Sequence, residues 1–161
     1  MRSAALFLLP AVLAGPAFAA DDLSKWSAYA PKGWRIIDAV EGKLGTPLID
    51  SAVLIAEKDD ATQRIKNDGL GTDPLNLNPR HLLILEKGKA GYVRKGHSAE
   101  FLPSEGSTES PCLADPLDEG GIAIAHGVLT IRLHYWLSCG SWSVSNATFY
   151  FRAEKGRHRL I

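Results

Sequence analysis

Cysteine, helical periodicity, excess charge and long apolar runs are all scarce in this chain of 161 residues. Two cysteines and one methionine are present. With no CxxC pair and no HxH or HExxH spacing among His81, His97, His126, His134 and His158, the residues offer no metal-ligand pattern. The expectation is no metal and no cofactor. Lysine and arginine number 18, as do aspartate and glutamate. That balance leaves no basic surplus to hold nucleic acid or an anionic membrane. No segment of 12 or more residues repeats its apolar positions at helical spacing. Beyond the N-terminus no run approaches the roughly 20 apolar residues of a membrane-spanning helix, so no membrane insertion is expected of the mature chain.

The N-terminus is itself distinctive. Met1-Arg2-Ser3 is short and positive, residues 4–13 (AALFLLPAVL) are apolar, Gly15-Pro16 breaks a helix, and Ala17-Phe18-Ala19 has the small-x-small pattern of a cleavage site. This is the order of a secretory signal peptide, here residues 1–19. Residues 20–161 then form a single β-rich domain. A chain of that length buries roughly two thirds of its unfolded surface on folding. The expected location is periplasmic or secreted, and the expected partner is another envelope protein.

In an oxidising compartment the two cysteines, Cys112 and Cys139, read as a disulfide. Closing a loop of this size stabilises a fold by about 3–4 kcal/mol in the chain-entropy model.

The rest of the chain alternates short apolar runs with turn residues. Strands are expected over residues 34–40, 49–57, 81–86, 92–94, 121–125, 128–137, 143–152 and 158–161, with a short helical turn within 21–30. Residues 58–79 and 103–120 are polar and rich in Gly, Asp, Asn, Ser and Pro, and read as long surface loops. His126-Gly127 is a two-residue hairpin turn. The fold class is mainly β: an antiparallel sheet or small β-sandwich with long polar loops and at most a short N-terminal helix.

Along residues 128–137 the alternation is clean. Leu129, Ile131, Leu133, Tyr135 and Leu137 share the core side, while Thr130, Arg132, His134 and Trp136 share the other. Ala147, Phe149 and Phe151 are the apolar set of the next strand, opposite Thr148, Tyr150 and Arg152. A sheet face carrying Arg132, His134, Trp136, Tyr150 and Arg152 has the composition of a protein-binding hot spot. The competing reading is that another layer, or the N-terminal segment, covers Trp136 and Tyr150. Trp34 and Trp142 are expected in the core.

A family resemblance rests on Pro31-Lys32-Gly33-Trp34, Asn78-Pro79-Arg80-His81, Asp115-Pro116, Gly121-Ile122-Ala123-Ile124, Gly127-Val128-Leu129-Thr130-Ile131, His134-Tyr135, Cys139-Gly140-Ser141-Trp142 and Phe149-Tyr150-Phe151-Arg152. Together these resemble small exported bacterial proteins with an FG-GAP-like, integrin-α-like segment. The resemblance implies an acidic calcium loop after the first strand and chain continuing past the last one. Here residues 42–50 keep Asp50 as the lone carboxylate, far from the six to eight oxygens calcium takes. The sequence stops at Arg159-Leu160-Ile161, and the expectation set by the resemblance is a domain without the C-terminal extension of its relatives.

Ser138, Ser141, Ser143, His126, His134 and Asp115 are present without any G-x-S-x-G setting, and no catalytic residues are assigned. The function expected from sequence is therefore a non-enzymatic, protein-binding envelope protein of inhibitor, immunity or assembly type. A degenerate calcium- or glycan-binding module is the alternative.

Overall fold

A computed structural model describes residues 22–140, 143–154 and 157–161. The signal-peptide expectation for residues 1–19, and the core expectation for Trp142, lie outside the described residues.

Among the described residues ten strands run in chain order: β1 (Trp34–Leu44), β2 (Ile49–Lys58), β3 (Arg64–Ile65), β4 (Leu75–Asn76), β5 (Arg80–Gly88), β6 (Gly91–Ser98), β7 (Gly121–Ala125), β8 (Val128–Trp136), β9 (Val144–Glu154) and β10 (Arg157–Leu160). They form two four-stranded antiparallel sheets and a small ribbon. The first sheet has the order β1-β2-β5-β6, the second β10-β9-β8-β7, and β3 pairs with β4. The class is mainly β, with helix confined to 3-10 turns among the described residues.

The second sheet is a chain of hairpins between strands adjacent in sequence, whereas in the first β1–β2 and β5–β6 are hairpins and β2 pairs antiparallel with β5 across the segment that carries β3 and β4. The β7–β8 turn, His126-Gly127, has positive φ at both residues (51° and 79°). That geometry matches the twist of the strands it joins. The two sheets face each other across one apolar cluster. Val53, Ile55, Leu82 and Ile84 come from the first sheet, and Leu129, Ile131 and Leu133 from the second. Ala147, Phe149 and Phe151 pack against this cluster from β9. Leu137 departs from the expected core side. It lies past the end of β8, where only an isolated bridge to Leu113 holds it, and is 38 % exposed.

The first sheet is covered on its other face as well. The 3-10 segment Leu23–Tyr29 starts at Asp22, which accepts from the Ser24 N–H at 3.0 Å. It ends at Ala30, held extended by the proline that follows. Trp26 enters a second cluster formed by Ala52, Leu54, Ala56, Leu83 and Leu85. Its ring lies 5.2 Å from that of Tyr92, edge-on. Trp34 packs at the border of this cluster and stacks 4.0 Å from His81. Both faces of β2 are therefore dry, which explains its unbroken apolar run, Ala52-Val53-Leu54-Ile55-Ala56.

Three stretches differ from the sequence expectation, the first being β6, expected over residues 92–94 and running on to Ser98. β1 runs on through residues 41–44, which read as loop. Residues 58–79 are not a solvated loop throughout, since Leu75, Asn76 and Asn78 are buried. Asn78 Oδ1 accepts from the Asp60 N–H, and Asn78 Nδ2 donates to Asn76 Oδ1 at 2.7 Å.

Candidate functional site

The second sheet turns one face to the core and leaves the other open. Register decides which residues share that open face. On β8 and β9, Arg132 sits opposite Thr148, His134 opposite Asn146, Trp136 opposite Val144, Thr130 opposite Tyr150 and Val128 opposite Arg152. Directly opposite residues point the same way. Arg132, His134, Trp136, Tyr150 and Arg152 are therefore on one face. Arg159 joins them from β10, directly across from Arg152.

No layer covers this face among the described residues. Trp136 is 40 % exposed and Tyr150 48 %, with Val144 and Ile161 exposed beside them. Of the N-terminal segment, the described residues 23–29 lie on the first sheet instead. His134 is the most buried of the set. Its Nδ1 lies 2.9 Å from Asn146 Oδ1, the oxygen accepting, and its Nε2 lies 3.3 Å from Glu119.

The charge on the face is unbalanced. Within the described residues no ion pair holds Arg132, Arg152 or Arg159. Arg152 and Arg159 stand directly opposite each other on paired strands, an arrangement of like charges that disfavours the fold slightly. Trp136 and Tyr150 lie at opposite ends of the face. Six residues of strand separate their register positions, about 20 Å at strand rise. One sugar ring could not stack on both, whereas a macromolecular surface could reach both.

A second polar cluster escaped the sequence reading. Glu57 is fully buried at the end of β2. Its Oε1 accepts from Arg35 at 2.5 Å and from Asn76 at 3.2 Å, and its Oε2 from Arg80 Nε at 3.1 Å. Arg80 then reaches Asp115 with both terminal nitrogens at 2.6 Å, a bidentate pair. Burial alone would raise the Glu57 pKa, but hydrogen bonds from Arg35, Asn76 and Arg80 outweigh it and hold the carboxyl below its ordinary range. Arg80 is likewise opposed by burial and kept charged by Asp115 and Glu57. The cluster lines a polar cleft of about 380 Å³ with Glu105 and Asp118. Its charges are spent on one another, tying the 58–79 and 103–120 segments to the first sheet. A carboxylate ending a dry apolar run, and an arginine after Asn78-Pro79, were the available signals.

Other sequence candidates are engaged structurally. Cys112 and Cys139 form the expected disulfide, with Cα atoms 5.5 Å apart. Ser138 Oγ donates to the Cys112 carbonyl at 2.9 Å. Asp50, the lone carboxylate of the degenerate loop, accepts from Lys43 at 2.6 Å, and Asp68 pairs with Lys66. Among the described residues no three His, Cys, Asp or Glu side chains converge as metal ligands. Comparison with known protein families, curated proteins and solved structures yields no match.

Proposed function

We propose that this chain is an exported envelope protein, periplasmic or secreted, that binds a partner protein through the open face of its second sheet. The observation that carries the reading is that Trp136 and Tyr150 are both exposed on a face whose arginines have no ion-pair partners among the described residues. Tryptophan, tyrosine and arginine are the side chains that most often contribute about 2 kcal/mol or more each when an interface desolvates them. The partner surface that complements them carries carboxylates around an apolar centre. The disulfide supports an oxidising location.

A photo-crosslinking amino acid placed at Tyr150, or in a second version at Trp136, tests this in the exported fraction of the native host. Both positions should give one adduct of the same mass. It should weaken with salt and disappear with Arg152→Glu. The same label at Val93, an exposed residue on β6, should give none. Adducts of equal yield from Val93, or only adducts between two copies of this chain, would overturn the reading. Trp136→Ala should abolish the Tyr150 adduct while changing stability by no more than about 0.5 kcal/mol.

A further inference from the structure

The two sheets do not meet evenly. Along one side β1 and β7 touch, and glycine makes this possible. A Cβ on Gly42 would sit 2.7 Å from Ile124 Cγ2, and the Gly45 N–H donates to the Gly127 carbonyl at 3.0 Å. On the opposite side, where β6 and β10 are the edge strands, the sheets enclose a cavity of about 480 Å³. Its walls are side chains of the main core, among them Leu82, Ile84, Leu129 and Phe151. Phe101 closes one wall, edge-on to Phe151 at 5.2 Å.

The polar lining is one-sided. Lys95 and Arg157 are its exposed charged members, and among the described residues no carboxylate lines the cavity, Glu86 acting on His158 from outside the lining. Lys95 falls at the bulge where the β5–β6 register shifts, which turns it off the regular ladder. Gly96, next to it, leaves open the space that a side chain facing Ile84 would fill. His158 contributes an Nε2 that is shielded from solvent and has no hydrogen-bond partner. A polar atom in that state is destabilising unless something satisfies it, and a turn of the ring toward the cavity would let a ligand oxygen do so.

From this juxtaposition we infer that the cavity is a binding site for a single-chain amphiphilic monoanion, a fatty-acid-like carboxylate. The alkyl chain lies against Leu82, Ile84 and Phe151. The carboxylate sits between Lys95 and Arg157, within the reach of His158. The volume lies in the range of small-molecule sites. The cavity is distinct from the open face of the second sheet and owes nothing to the proposed partner.

Titration of the full chain with dodecanoate below its micelle concentration tests the site, read by calorimetry and by amide chemical shifts. One equivalent should bind, with the largest shifts at Gly96, Phe151 and His158. Dodecanol should bind about tenfold or more weakly, and acetate and dodecyltrimethylammonium should not bind. The Lys95→Glu/Arg157→Glu protein should lose about tenfold or more in dodecanoate affinity with its melting temperature kept. Gly96→Leu, which fills the cavity, should abolish binding. Gly96→Ala adds a methyl whose nearest neighbours lie 3.7 Å away and should fold normally. Equal affinity for the alcohol and the carboxylate would overturn the inference. So would shifts centred on Trp136 and Tyr150, unchanged affinity in the charge-reversed protein, or preferential binding to anionic vesicles. The charge-reversed protein decides the matter if Gly96→Leu does not fold.

Discussion

The two sheets have the same strand count and opposite relations to solvent. The first is sandwiched between the second sheet and the N-terminal 3-10 segment, so Leu54 and Ile55, neighbours pointing to opposite faces, are both fully buried. The second has one dry face and one wet face, so Ile131 is fully buried while Arg132 beside it is exposed. The first sheet holds the buried polar cluster and serves the fold. The second sheet leaves its outer face to solvent, with Arg152 opposite Arg159, and that is the face to which the proposed function assigns recognition.

Several measurements would break or sharpen this contrast. The largest effect belongs to the polar cluster of the first sheet. Arg80→Met strips Glu57 and Asp115 of their shared partner, and removing one side of a buried pair costs about 3–5 kcal/mol. Denaturant unfolding should show that loss, and a cost below about 1 kcal/mol would mean that the cluster is not structural. Next come paired substitutions on each sheet. Leu54→Ala and Ile55→Ala should each cost about 2–5 kcal/mol, as should Ile131→Ala. Arg132→Ala and Thr130→Ala should stay under about 1 kcal/mol. Equal costs at Ile131 and Arg132 would show that the second sheet is covered on both faces after all.

The smallest effect is a dependence on pH. Burial lowers the His158 pKa, with Glu86 pulling it part of the way back. Burial and His97 lower that of His81. A histidine held neutral contributes its full stability above the unfolded value of about 6.5. That contribution is lost as pH falls through the folded pKa, because the unfolded chain takes up the proton first. The depressed Glu57 acts in a lower window. Its contribution is present above the ordinary glutamate range and is lost as pH falls through its folded pKa. Stability should therefore decline in two stages on acidification. His158→Gln should shrink the first stage and leave the second. An unchanged first stage in that variant would show that His158 is not the group responsible.

What was legible in the sequence was what local pattern controls. β7, β8 and their turn follow from period-two alternation and His126-Gly127. The common face of Arg132, His134 and Trp136 follows from the same period. The extension of β1 past Val40 was not legible. Gly42 reads as a loop residue until Ile124, 82 positions later, is seen pressed against it. The burial of Asn76 and Asn78 was hidden for a similar reason. They look like loop residues because the groups that satisfy them, Glu57 and Asp60, lie 18 or 19 positions away. No pattern in residues 21–30 says which sheet Trp26 will cover. That choice decides whether Trp136 and Tyr150 meet protein or water.

The glycine contact between β1 and β7 makes the sandwich behave like a book bound along one spine. Its binding is the Gly45–Gly127 hydrogen bond and the Leu44–Gly127 bridge. Among the described residues no backbone hydrogen bond joins the sheets at the β6–β10 fore-edge. Parting the sheets at that edge would cost side-chain contacts rather than backbone pairing, so the weaker margin of the sandwich is the one that borders the cavity.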